Sequence, residues 1–254
     1  MVSKHCIAIV ALAATSLCAG VATAQPPRLS DSKAHDGVAR AHMMPVQGID
    51  VSAWQGDIDW RQVRAAGTQF VYIKATEGGD HLDPKFLENW EAVKQAGLAR
   101  GAYHFLYWCR PASEQALWFM LNVPADRDAL PPVLDVEWNA HSPSCSKRVS
   151  RDVALDAIIT MLDAMEAHTG KRPIIYTDPV FYREVLAGQF ADYNFWLRSV
   201  AAEPAQLYGD RPYAFWQFTT TGSVPGIQGK VDRNVFNGVP ADWNRVLQSL
   251  SAAR

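Results

Sequence analysis

Asp135 and Glu137, one residue apart in Pro132-Val133-Leu134-Asp135-Val136-Glu137-Trp138, are the pair in this chain best suited to chemistry. In an extended strand the period of two sends both carboxyls to one face and Leu134 and Val136 to the other. Leu and Val belong against a helical layer, so the acids face inward, and no Lys or Arg adjoins them in sequence. Like charges on one face repel, and partial burial disfavours ionisation. One carboxyl is therefore expected to hold its proton toward neutral pH while the other stays ionised. A proton donor beside an anion is the equipment of glycoside cleavage. The donor protonates the leaving oxygen, and the anion supports positive charge at the anomeric carbon or positions the attacking group. Solvated strand-end acids or a calcium site remain open readings of the pair taken alone.

Two more acids occupy comparable places. Asp50 follows Gly48-Ile49, and Asp232 lies in Lys230-Val231-Asp232-Arg233-Asn234. If these mark the first and last strands of a closed barrel, they are neighbours, and four acids line one mouth. Trp54, Tyr103, Trp108, Trp138, Trp196 and Trp216 fall at or just beyond expected strand ends. Flat apolar rings with a polar tip stack on the CH faces of sugars, although packing in the core or rim is the competing reading for each.

The elements that must position these residues alternate in type. Strands are expected over residues 46–52, 70–75, 99–106, 132–137, 173–176, 195–197, 214–218 and 231–236. Helices are expected over 59–66, from an Asp83 N-cap to Gly97, over 112–121 and over 151–169. Little helix is left between the last three strands. The pattern is α/β, a single TIM-like barrel that is an incomplete version of the eight-unit form, whose chemistry sits at the carboxyl ends of the strands.

Residues 1–24 read as an export signal, with Lys4, an uncharged apolar stretch and Ala22-Thr23-Ala24 before the expected cut. Residues 25–45 read as a flexible leader and 46–254 as the barrel domain. Cleavage removes Cys6 and Cys18 and leaves Cys109 and Cys145, an even pair in a compartment that permits a disulfide; two separate thiols are the alternative. The composition, 48% apolar and 20% charged, excludes disorder along the whole chain. The net charge of -2 supplies no field that would gather nucleic acid or an anionic membrane.

Together, Gly48-Ile49-Asp50-Val51-Ser52, Gln55-Gly56, Ile58-Asp59-Trp60, Phe70-Val71-Tyr72-Ile73-Lys74-Ala75-Thr76-Glu77-Gly78, Gly101-Ala102-Tyr103-His104-Phe105, the Asp135 segment and Val231-Asp232-Arg233-Asn234 resemble glycoside hydrolase family 25. These are the Chalaropsis-type lysozymes, or N-acetylmuramidases. The resemblance implies a (β/α)5(β)3 barrel that hydrolyses the β-1,4 bond between N-acetylmuramic acid and N-acetylglucosamine in peptidoglycan. It casts Glu137 as proton donor. Asp135 would orient the substrate's N-acetyl group or stabilise the transition state, and Asp50 and Asp232 are the further acids of the cleft. Tyr103, Tyr176, Trp138, Trp196, Trp216 and Gln217 are the sugar-binding candidates. Lys74 and Glu77 are expected as a buried ion pair. A bridge between Cys109 and Cys145 would brace the rim.

The sequence lacks a Gly-x-Ser-x-Gly elbow, a Cys-x-x-Cys pair, a phosphate loop and a His-Glu-x-x-His helix. No cofactor or metal is expected, and His104 reads as a packed residue. The expected protein is an exported monomer acting on glycan strands. Its rivals are a non-catalytic glycan-binding barrel and a glycosidase for another N-acetylhexosamine polymer.

Overall fold

The computed structural model of the chain describes Met1, residues 30–31 and residues 34–252. Met1 aside, the expected signal 1–24 lies outside the described residues, as do residues 25–29.

Eight strands close a barrel: β1 (Gln47–Val51), β2 (Thr68–Glu77), β3 (Ala99–Phe105), β4 (Val133–Val136), β5 (Ile174–Thr177), β6 (Phe195–Arg198), β7 (Phe215–Ser223) and β8 (Val231–Phe236). Strands β1 to β7 run parallel, and β8 closes the ring antiparallel to both β7 and β1. A reversed strand brings its first residues, not its last, to the mouth where the others end. That is how Asp232 comes to pair with Asp50 across the seam.

Before β1 lies α1 (Ala39–Met43). Helices α2 (Trp60–Ala65), α3 (Phe86–Gln95), α4 (Ala112–Asn122), α5 (Arg151–Thr169) and α6 (Pro179–Phe181, continuing as a π turn over Tyr182–Leu186) follow the first five strands in turn. A single further turn, α7 (Pro204–Tyr208), follows β6, and α8 (Pro240–Ala252) ends the chain. The expected arrangement of five strand-helix units and three further strands is thus present. The local reasons are visible in α5, where the Ser150 hydroxyl accepts from Val153 N and Gly170 ends the helix at φ +69°. At α3 the structure differs from expectation. The helix begins at Phe86, and the Asp83 carboxylate accepts from Lys85 N (2.9 Å) and from Ala53 N (2.9 Å), stapling two rim loops instead of capping the helix.

Two apolar layers result. Leu134 and Val136 meet Ile158, Leu162 and Met165 of α5 on the outside of the barrel. Inside, Phe70, Tyr72, Val133, Ile174, Trp196, Phe215 and Phe236 fill the lower barrel, and Trp243 and Leu250 of α8 close its base. Rings of that size need glycine opposite them. A Cβ on Gly48 would lie 2.3 Å from the Phe70 ring, and one on Gly101 2.2 Å from the Tyr72 ring.

The flexible leader expected over 25–45 is corrected at its carboxyl end. Asp36–Val38 and α1 are helical, and Val38 and Ala41 are buried against Trp216, Phe218 and Val235. Arg40 pairs with Glu203 at 2.7 Å. So short an apolar stripe, two side chains in a polar stretch, carries little periodicity for a sequence reading to detect.

Candidate active site

At the carboxyl ends of the parallel strands a cavity of about 350 Å³ opens, lined by Asp50, Tyr103, Asp135, Glu137, Tyr176, Trp196, Gln217 and Asp232, with Lys74 and Trp54 at its edge. All four expected acids meet here. The period of two places them: Leu134 and Val136 face the helices, so Asp135 and the following Glu137 face the lumen.

Asp50 is held by a hydrogen-bonded relay whose polarity can be read without ambiguity. An indole N–H only donates. The Trp196 Nε1 donates to Asn234 Oδ1 (2.9 Å), so Asn234 must turn its Nδ2 to Asp50 Oδ2 (2.8 Å). Gln217 Nε2 donates to the same oxygen (3.0 Å) while its Oε1 accepts from the Tyr176 hydroxyl (2.9 Å). Burial raises the Asp50 pKa, and these two amide donors act against it by favouring the anion. Asp232, within hydrogen-bonding reach of Asp50, is pushed up to about 8, first by burial and then by the Asp50 charge. The proton of this pair therefore rests on Asp232, and Asp50 is the organised anion.

Burial, then the charge of Asp178, pushes Glu137 up to about 7, against the opposing charges of Arg198 and Lys74. Asp135 is also raised well above the carboxylate range, by burial and then by Glu137. The two carboxyls thus act on one another, each disfavouring the charge of the other. The floor of the cleft desolvates both, and Lys74, whose charge opposes both shifts, is engaged in the expected ion pair with Glu77, which also accepts from the Tyr107 hydroxyl. The buried Asp135 Oδ1 has no hydrogen-bond partner among the described residues.

The aromatic candidates divide. Tyr103 and Tyr176 line the cavity as expected, and Trp196 forms its floor with 2% of its surface exposed. Trp216 does not belong to the cleft. Gln217 faces the lumen, so its neighbour in the strand faces outward, and Trp216 is buried beneath α1 with its Nε1 donating to Ser199 O (2.7 Å). Trp138 stands behind the rim, not in the cavity. It packs on Trp108 (5.4 Å) and Phe181 (4.8 Å) and donates to Glu184 Oε2 (2.6 Å). Trp108 donates to the main-chain oxygen of Glu137 (2.8 Å), and the next residue, Cys109, is bridged to Cys145. His104 is buried between Thr76 (2.8 Å) and Gln115 (3.3 Å) and is lowered to about 4 by burial, so it is a neutral packed residue. Among the described residues, no cluster of His, Cys, Asp or Glu could hold a metal ion.

Sequence reasoning missed Asp178, Arg198 and Asn234. The signal was available: Tyr176 and Trp196 face the lumen, so two residues further on the same faces carry Asp178 and Arg198. Asn234 follows Asp232 by the same step.

The sequence and the barrel have known counterparts. The sequence pattern of "Glycosyl hydrolases family 25" matches residues 49–227. The chain belongs to this family. The family 25 chain is 38% identical over 208 residues to Lysozyme M1 of Streptomyces globisporus, covering 77% of this chain and 69% of that protein. It is 41% identical over 206 residues to YegX of Escherichia coli, covering 76% and 70%. A solved family 25 glycosyl hydrolase from Bacillus anthracis superimposes with a TM-score of 0.76 at 32% identity, over 85% of this chain and 98% of that one. The protein is a glycoside hydrolase with the family 25 α/β barrel.

Proposed function

We propose that this glycoside hydrolase cuts the β-1,4 bond between N-acetylmuramic acid and N-acetylglucosamine in peptidoglycan, with Glu137 as proton donor. One observation carries the reading: a single cleft holds a Glu137 that keeps its proton to about pH 7 and an Asp50 whose Oδ2 is fixed by two amide donors at 2.8 and 3.0 Å. Glu137 gives its proton to the glycosidic oxygen, a contribution of about 10²- to 10⁴-fold. Positive charge then grows at the anomeric carbon, the Asp50 anion stabilises it without having to reorganise, and a water oxygen finally bonds to that carbon and gives up the proton that restores Glu137 to its acid form. Asp232 carries the neighbouring proton, so the cleft does not hold two adjacent anions. Asp135 offers its unpartnered Oδ1 to the substrate's acetamido group. Tyr103, Tyr176 and Gln217 line the sugar's path, and the exposed Trp54 ring at the edge offers a stacking face. The mature protein acts outside the cytoplasm as a monomer, after removal of residues 1–24.

Incubation with purified peptidoglycan, followed by mass spectrometry of the new reducing ends, tests this. Muramic acid at the new end is the expected result. A glucosamine end points to the other N-acetylhexosaminidase reading, and binding without cleavage to a glycan-binding barrel.

A further inference from the structure

Glu137 stands at the end of β4, and what adjoins it on β5 is another acid. The β4–β5 register pairs Asp135 with Tyr176 and Val136 with Thr177, so one further step sets Glu137 beside Asp178. The Asp178 carboxylate is already committed on one side, where its Oδ1 accepts from Val180 N (2.6 Å) and Phe181 N (2.8 Å). Two main-chain donors fix that oxygen as an acceptor. The rest of Asp178 is within hydrogen-bonding reach of Glu137. With Asp178 already placed as an acceptor, the hydrogen bond between the two carboxyls favours the protonated form of Glu137.

We propose that Asp178 is a positioning residue which, held in place by the first turn of α6, keeps the proton on Glu137 and aims that carboxyl from the β5 side of the cleft. The inference rests on the donor role given to Glu137 above. Asp178 itself is not among the residues lining the cavity. Other charged and titratable groups also act on Glu137: Asp135 on its own strand, Tyr176 on β5, Asp232 on β8 and Tyr208 on α7, with Lys74 on β2 and Arg198 on β6 as the opposing cations. Of these, Asp178 alone adjoins Glu137 through the strand register and has its carboxyl held in place by main-chain N–H groups.

Asp178→Asn and Asp178→Ser both keep a side-chain oxygen for the α6 cap and remove the charge. The readout is a carbon-13 NMR titration of the Glu137 carboxyl, its signal assigned by its loss in Glu137→Gln. The midpoint is expected to fall by about one pH unit in either variant. The alkaline limb of kcat/KM on peptidoglycan follows it downward, leaving activity at pH 7 about fivefold lower. A midpoint that stays in place in both variants, with the rate lowered equally at every pH, overturns the proposal and makes Asp178 a structural cap. A midpoint that falls while the alkaline limb stays put upholds the hold of Asp178 on the proton and instead removes Glu137 from the donor role.

Discussion

At the scale of single residues, the cleft works by assigning protons. Four carboxyls converge, and all four are raised by burial, yet their hydrogen-bond partners differ. Asp50 receives two amide donors, while Glu137 adjoins an anion. Glu137→Gln keeps the shape and removes the donor. Turnover on peptidoglycan should fall by about 10²- to 10⁴-fold with glycan binding retained, which paired kinetic and binding measurements will show. Asn234→Ala removes one of the two donors that favour the Asp50 anion. The acid limb of the activity profile should then move to higher pH, because an anion with fewer donors needs a lower proton concentration to form. An acid limb unchanged in a folded Asn234→Ala variant would refute the Asp50 assignment.

At the scale of elements, the first five strands and their helices were legible because each carries its own period and its own punctuation. Ser150 and Gly170 bracket α5, and Leu134 and Val136 declare the outer face of β4. Trp216 was misassigned for the opposite reason. Trp and Gln are both plausible sugar ligands, and only the alternation of β7 separates Gln217 in the lumen from Trp216 beneath α1. The Cys109–Cys145 bridge joins the loops after β3 and β4 and stands one residue from Trp108, which holds the Glu137 carbonyl. Replacing both cysteines by Ser releases a crosslink of sequence separation 36, at a cost of about 3 to 4 kcal/mol by loop-closure entropy. The melting temperature should fall by roughly 10 °C for a domain of this size. Thermal unfolding checks this, and a Tm unchanged in the double variant would show the bridge to be dispensable.

At the scale of the whole molecule, concentrating buried acids at one mouth has a thermodynamic cost that depends on pH. Glu137 and Asp232 hold their protons in the folded chain to about 7 and about 8, against ordinary values of 4.5 and 3.8. Between those limits the unfolded chain binds fewer protons than the folded one, so stability falls as pH rises. The contribution is fully present below about pH 4 and is lost as the pH passes 7 to 8. Unfolding by denaturant should therefore show a more stable protein at pH 5 than at pH 8.5, and Asp232→Asn should flatten that difference. A wild-type stability that rises across this window would contradict the burial of the acids.

The sequence by itself determined the alternation of elements, the inward face of β4 and the family, because these are written in local period and in short runs of residue types. The four acids could be named from it for the same reason. The tertiary structure decided how their protons are distributed. Asp50 meets Asp232 only because β8 runs antiparallel and closes on β1, and Glu137 meets Asp178 only through the β4–β5 register. Proton affinity depends on desolvation and on charges brought together from distant parts of the chain, and neither exists until the barrel has closed.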